Sequence, residues 1–227
     1  MGSDDLFKKK REERKKRNYG YKQPRANSFL IVTEGARTEP LYFKEMQMRI
    51  KNKMGGSIDI YEMPIIDISG EGCSTTALIE KADQLVSKAR LIYQNVWIVF
   101  DKDDFGDFDS AIKEGESRGY HIAWSNQSFE YWLFLHFEYS DSALHRNEWN
   151  DKLTGLFKKF GLGKEEYHKN NEQIYQMVDS YGGVDLAIKN AKRRMSGFNQ
   201  SNCKPSEYDP GTTVHLLVED LKKFLDE

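Results

Sequence analysis

The fold turns on Asn95-Val96-Trp97-Ile98-Val99-Phe100-Asp101-Lys102-Asp103-Asp104. Five consecutive apolar residues, rich in β-branched and aromatic side chains, predict a strand buried on both faces. The strand runs directly into three acids within four residues. Upstream, Phe29-Leu30-Ile31-Val32 repeats the design: a short apolar strand broken by Thr33-Glu34-Gly35. Two buried strands that each end on a carboxylate set the frame for everything between and after them.

Between them, Thr38-Glu39-Pro40 opens a helix, with Thr38 as N-cap and Pro40 in the first turn. Leu41, Phe43, Met46 and Ile50 give it one apolar face, and Gly55-Gly56 should end it. A strand region follows over Ile58–Ile68. The loop Ser69-Gly70-Glu71-Gly72 then leads to a helix capped by Ser74 or Thr75 and ending near Tyr93. After the acids, Phe108–Arg118 reads as a helix closed at Gly119, and His121–Trp124 as a fourth strand. Ser128 caps a helix carrying Phe129, Trp132, Leu133, Leu135 and His136. Residues 28–138 thus alternate β-α four times. This pattern predicts an α/β fold with a parallel sheet flanked by helices and a binding site at the carboxyl ends of the strands. From about residue 139 the pattern is helical (153–160, 171–181, 184–194, 213–225), with no convincing strand. The expected organisation is a basic arm over 1–27, an α/β core over 28–138 and a helical C-terminal extension over 139–227.

Composition limits the class. The chain has 227 residues, enough for one large domain or a domain with an appendage. No apolar run is long enough for a membrane span, and no apolar stretch follows the N-terminus as a secretory leader would require. Two cysteines, Cys73 and Cys203, support neither a disulfide framework nor a cysteine-rich zinc site. A cytoplasmic location without membrane contact is expected. The net charge of −2 conceals a polarity. Residues 1–28 hold ten Lys/Arg against four Asp/Glu, and the rest holds 24 against 32. Eight of the ten residues from Lys8 to Arg17 are basic, Lys8, Lys9, Lys10 and Arg11 among them. Such a block serves either nucleic-acid contact or solubility.

In a parallel sheet Glu34, Asp101, Asp103 and the Ser128/Glu130 pair converge on one edge. Clustered carboxylates repel one another and persist mainly where a cation offsets them. Oxygen donors of this kind suit Mg²⁺ or Mn²⁺, one ion or two, and phosphate chemistry. Each acid taken alone also fits an ordinary turn or helix cap; the combination is the signal.

The sequence resembles the RloB-like family, bacterial proteins with a Toprim-like (Rossmannoid) core. Glu34-Gly35-Ala36-Arg37-Thr38-Glu39-Pro40-Leu41-Tyr42-Phe43 matches an E-G-x-x-T-E-x-x-Y-F signature, and Asp101-Lys102-Asp103 a D-x-D. Ser128-Phe129-Glu130-Tyr131-Trp132 with His136 matches S-F-E-x-W-x-x-x-H, and Pro210–Leu217 a P-x-T-x-V-H-x-L close. The resemblance covers roughly residues 28–225. It implies Glu34, Asp101, Asp103 and Glu130 as catalytic, and Glu34, Glu39, Asp101, Asp103, Ser128 and Glu130 as metal-holding. Glu39 stands one residue further from Glu34 than in related overcoming-lysogenization-defect nucleases, so it reads equally as a helix-start carboxylate favoured by the dipole.

The resemblance also implies a metal-dependent endonuclease in anti-phage defence, acting on RNA, tRNA foremost, rather than DNA, beside a partner ATPase. Self-association stays open. Two other functions fit the same residues: a non-catalytic or partner-activated adaptor of that ATPase, and a phosphotransfer enzyme acting on nucleotides. Arg37 reads as a phosphate contact or a salt-bridge partner. Arg193 and Arg194, in a basic cluster with Lys189 and Lys192, read as nucleic-acid contacts or as cations favoured at a helix C-terminus. The resemblance further asks for a late lysine, with Lys189, Lys192 and Lys204 as candidates. His136 and His215 read as core histidines. The 70–75 loop lacks the lysine of a nucleotide-binding P-loop.

Overall fold

A computed structural model describes residues 22, 24–55, 65–72, 75–104, 106–198 and 203–226. Its centre is a five-stranded sheet in the order β2-β1-β3-β4-β5. The strands are β1 (Pro24–Thr33), β2 (Ile65–Gly70), β3 (Ile92–Asp101), β4 (His121–Asn126) and β5 (Gly211–Thr212). The first four are parallel, and β5 returns antiparallel on β4, with Ser125 opposite Thr212. The helices are α1 (Thr38–Met54), α2 (Thr75–Lys88), α3 (Phe108–Ser117), α4 (Phe129–Phe134), α5 (Arg146–Phe160), α6 (Ile174–Asp179), α7 (Gly183–Ser196) and α8 (Val214–Asp226).

The strand alternation sorts the core into two layers. Phe29 and Ile31 of β1, with Trp97 and Val99 of β3, face α1 and the later helices. That layer includes Tyr42, Phe43, Trp132, Trp149, Val214 and Leu217. Leu30 and Val32, with Val96, Ile98 and Phe100, face α2 and α3 through Leu78, Ile79, Phe108 and Ile112. Both faces of the central strands are therefore covered, as the continuous apolar runs predict.

The chain passes from β1 through α1 to β2 on one side. It then returns through α2 to β3 on the other side of β1. The switch point lies between the ends of β1 and β3, the position where ligands enter such sheets.

Several expectations are corrected. A strand does occur in the C-terminal part: β5, only two residues long, too short for any periodicity to reveal. β1 starts at Pro24, earlier than the apolar run, with a register shift between Arg25 and Phe29. α2 stops at Lys88, and β3 takes over at Ile92. Thr38 is the first helical residue rather than the cap; Arg37 holds the cap position without a side-chain bond. Residues 58–64 of the second strand region, Cys73, Ser74 and the arm residues Lys8, Lys9, Lys10 and Arg11 lie outside the described residues. Among the described residues no helix is long and apolar enough to cross a membrane.

Candidate functional site

Glu34 follows the last residue of β1, and its backbone continues the sheet for one more step. Its N–H donates to Val99 O at 2.8 Å, and its carbonyl accepts from the Gly72 N–H at 2.8 Å. The main chain thus fixes where the side chain starts. The carboxylate is then held at both oxygens: Oε2 accepts from the Asp101 N–H at 3.1 Å, and Oε1 from the Thr75 hydroxyl at 3.3 Å. One strand end grips the next.

Asp101 closes β3, half-buried, with the Phe129 N–H bonded to its carboxylate. Glu130 lies in the first turn of α4, buried at 2% exposure. Its Oε1 accepts from the Tyr167 hydroxyl at 2.9 Å and meets Lys169 Nζ at 3.1 Å. Glu39 sits at the second position of α1 and folds its carboxylate back over Gly35. A Cβ on Gly35 would meet that carboxylate, so the carboxylate would have to swing off its present position.

These side chains line one cleft of about 370 Å³, together with Asp103, Phe129, Arg37, Arg146 and Lys169. The acids act on one another. Burial pushes the Glu39 carboxyl up to about 7, with Glu130 and Glu34 adding to the rise and Lys169 opposing it. Burial, then Glu39 and Glu130, push Asp101 well above the ordinary aspartate range. Glu34 is raised by burial and by Asp103, against the Asp101 N–H, Thr75 and Arg146. Together they form a site with more negative charge than its own cations neutralise.

The donors are carboxylates and a hydroxyl, with no thiolate or imidazole among the lining residues. Such a set fits a hard divalent cation. The Ser128 hydroxyl, buried and without a hydrogen-bond partner, precedes the cleft residue Phe129 in sequence but is not itself among the lining residues. Among the described residues no three His, Cys, Asp or Glu side chains are already arranged around an ion position. The fit is thus one of donor chemistry and charge.

The cleft brings Glu34, Glu39, Asp101, Asp103, Glu130 and Arg37 together. Ser128 is at the cap of α4, without a capping bond from its side chain. Arg193 and Arg194 do not line the cleft. Arg194 is engaged with Pro210 O and Asp209 O at 2.9 and 3.1 Å and lies over the Phe198 ring, holding the approach to β5. The lysine candidates are also elsewhere; Lys192, for one, pairs with Glu219.

Besides Arg37, two cations line the cleft, Arg146 and Lys169. Arg146, in the first turn of α5, donates to Lys102 O at 3.2 Å and so braces the acidic loop after β3. Lys169 lies between α5 and α6, its carbonyl accepting from Thr38 Oγ1 at 3.0 Å. Neither belongs to a recognisable motif. The only signal for them was indirect: clustered buried acids demand cations nearby.

His136 is buried between the Tyr42 hydroxyl and Trp132 O, each 3.1 Å away, and burial pushes it down to about 4. It is a neutral core residue outside the cleft.

Neither the curated proteins nor the solved structures give a match to this chain. A family model does, described as RloB-like protein, over residues 29–221. The matched span takes in the second half of β1, all of β2 to β5 and every residue that lines the cleft. By that match the chain belongs to the RloB-like family.

Proposed function

We propose that the protein is a divalent-metal-dependent nuclease of the Toprim type. It would hydrolyse phosphodiester bonds in nucleic acid, RNA and tRNA before DNA, within bacterial anti-phage defence. One observation carries this reading. Glu34, Glu39, Asp101 and Glu130 meet at the switch point of a parallel sheet, with Arg146 and Lys169 in the same cleft.

Glu34, Asp101, Asp103 and Glu130 would hold Mg²⁺ or Mn²⁺, with Glu39 as a further oxygen donor. The ion would supply an acidified water and neutralise charge on the scissile phosphate. Arg146 and Lys169 draw the diester into the cleft, and Arg37 at its exposed rim can grip a phosphate in a two-pronged contact. Glu34 accepts the proton of the attacking water at Oε1. That oxygen is the freer one, because its bond to Thr75 is the longer of the two that hold the carboxylate.

The acidic body beyond the basic arm disfavours a duplex lying flat on it, so duplex contact would rely on the arm or on a partner. The test is cleavage of total tRNA and of plasmid DNA by the full chain and by a Glu34→Ala/Asp101→Ala variant, with Mn²⁺, Mg²⁺ or EDTA. Cutting by the parent alone, and only with metal, is expected. Binding of Mn²⁺ with no cutting in any lane would replace this reading by the non-catalytic one.

A further inference from the structure

Away from the cleft, three aromatic rings cluster at the edge of the core: Phe137 and Phe160 are partly buried and stacked on each other, and Tyr181 lies tilted against both and exposed. Phe137 follows the last turn of α4, Phe160 ends α5, and Tyr181 lies between α6 and α7. Phe137 and Phe160 are parallel within 13° with centroids 5.7 Å apart, and Phe160 lies 4.7 Å from Tyr181. Tyr181 is 49% exposed, although its hydroxyl is tied to Phe160 O at 2.7 Å. An exposed ring is thereby held in one orientation.

Positive charge accompanies the rings. Lys159 Nζ stands 5.1 Å from the centre of Phe160. Two residues beyond Phe137, Tyr139 carries the Arg193 guanidinium 4.0 Å above its ring. Lys189, exposed and four residues before Arg193, shares its helix face. Helix α7 is pinned from below, where Asn190 Nδ2 donates to Leu135 O at 2.9 Å. The result is a track of rings and cations from Phe160 and Tyr181, through Phe137, to Tyr139 and Arg193.

Such interleaving is what a flexible polyanion with flat bases requires. The cations follow its backbone, and the rings stack its bases without regard to sequence. The track also lies within reach of the cleft. Helix α5 carries Arg146 in the cleft and Phe160 on the track, about 21 Å apart at about 1.5 Å per residue. We infer that this track binds single-stranded nucleic acid, extending the substrate contact beyond the acidic cleft. The inference rests on nucleic acid being the substrate class, and not on the chain cutting it.

The experiment is equilibrium binding of a fluorescein-labelled 15-nucleotide oligo-U, and of its oligo-dT counterpart, by anisotropy in EDTA. The full chain is used throughout, so the basic arm contributes equally to every variant. Tyr181→Ala is expected to weaken binding about tenfold, the loss of one stacked base. Lys189→Glu/Arg193→Glu is expected to weaken it further and to flatten its salt dependence. Lys113→Glu, an exposed lysine on α3 across the sheet, leaves binding unchanged, and all variants remain cooperatively folded at the temperature of the binding assay. The Glu34→Ala/Asp101→Ala variant binds at least as tightly as the parent even though it should not cut, and Tyr181→Ala weakens it by the same factor in that background, which separates this surface from the cleavage chemistry. No binding by the parent, or equal binding by Tyr181→Ala and the double charge reversal, would overturn the inference. So would a shift in oligomeric state in those variants with binding intact, because the face would then be a protein contact.

Discussion

Consider replacing Glu39 by glutamine. The carboxyl is 7% exposed, folded back over Gly35 and pressed by Glu130 and Glu34. Burial is the largest cause of its rise from the ordinary 4.5 to about 7. In the unfolded chain the group returns to the ordinary value. Between pH 4.5 and 7 the folded state therefore binds more protons than the unfolded state, and stability falls as pH rises through that window. Above pH 7 the whole penalty stands. At about 1.4 kcal/mol per pH unit, it amounts to about 3 kcal/mol.

Glutamine keeps the shape and the acceptor for the residue's own N–H, and it removes the charge. In EDTA at pH 8, Glu39→Gln should therefore be more stable than the parent by up to about 3 kcal/mol. That is roughly 6–12 °C in Tm for a chain of this size. The gain should shrink toward zero at pH 5, where the parent's Glu39 is protonated. Urea unfolding followed by tryptophan fluorescence at both pH values measures it. A variant no more stable at pH 8, or one equally stabilised at both pH values, would refute the reasoning. Adding Mn²⁺ at pH 8 should narrow the gap from the other side, because a cation in the cleft relieves the same repulsion in the parent.

Two further outcomes follow from the core. His136 is buried neutral at about 4, below the ordinary 6.5, so its contribution is complete above pH 6.5 and is lost as pH falls toward 4. Acidification from pH 6.5 to 4 should therefore cost the parent up to about 3 kcal/mol more than it costs a His136→Gln variant, by urea unfolding; equal losses in the two proteins would contradict the burial of a neutral His136. Gly182→Ala should destabilise by about 2 kcal/mol or more, since its Cβ would run into the His136 carbonyl, a backbone atom that cannot step aside. Gly155→Ala, inside α5 with nothing within 4 Å, should instead stabilise by about 0.5–1 kcal/mol; thermal melts of the two variants moving the same way would undo the contrast.

The sequence carries much of the fold for a specific reason. β1 and β3 are buried on both faces, so their apolar runs are uninterrupted and easily seen. The turns that end them place polar residues abruptly after apolar ones. Where the signal fails, the physics differs. β5 has two residues and owes its place to Ser125 and Thr212 meeting across the sheet, with their hydroxyls 3.1 Å apart. A pairing across 87 positions leaves no local trace. Thr38 looks like a cap because threonine often caps, yet its hydroxyl is drawn to Lys169 O, 131 positions away. A long-range partner outcompetes the local bond that the sequence pattern favours.

The site divides in the same way. Glu34 and Asp101 are fixed by the sheet itself: the ends of two adjacent parallel strands must lie side by side, so reading the strands locates their acids. Glu130 and Glu39 come from the first turns of helices that start just beyond strand ends or strand-to-helix turns, and they inherit that position. Arg146 and Lys169 have no such constraint. They arrive from α5 and from the connection after it, elements whose placement is decided by how Trp149, Leu153 and Phe157 pack on the sheet layer. The acids are thus set by topology and the cations by packing. A reading of strands and turns can therefore predict that the cleft is negative without saying which residues offset it. The same asymmetry bears on function: the carboxylates stand on the rigid frame, whereas Lys169 is half-exposed on a connecting segment and is held by contacts to Glu130 and Thr38. If one side of the site adjusts to an incoming phosphate, it is the side that carries the lysine.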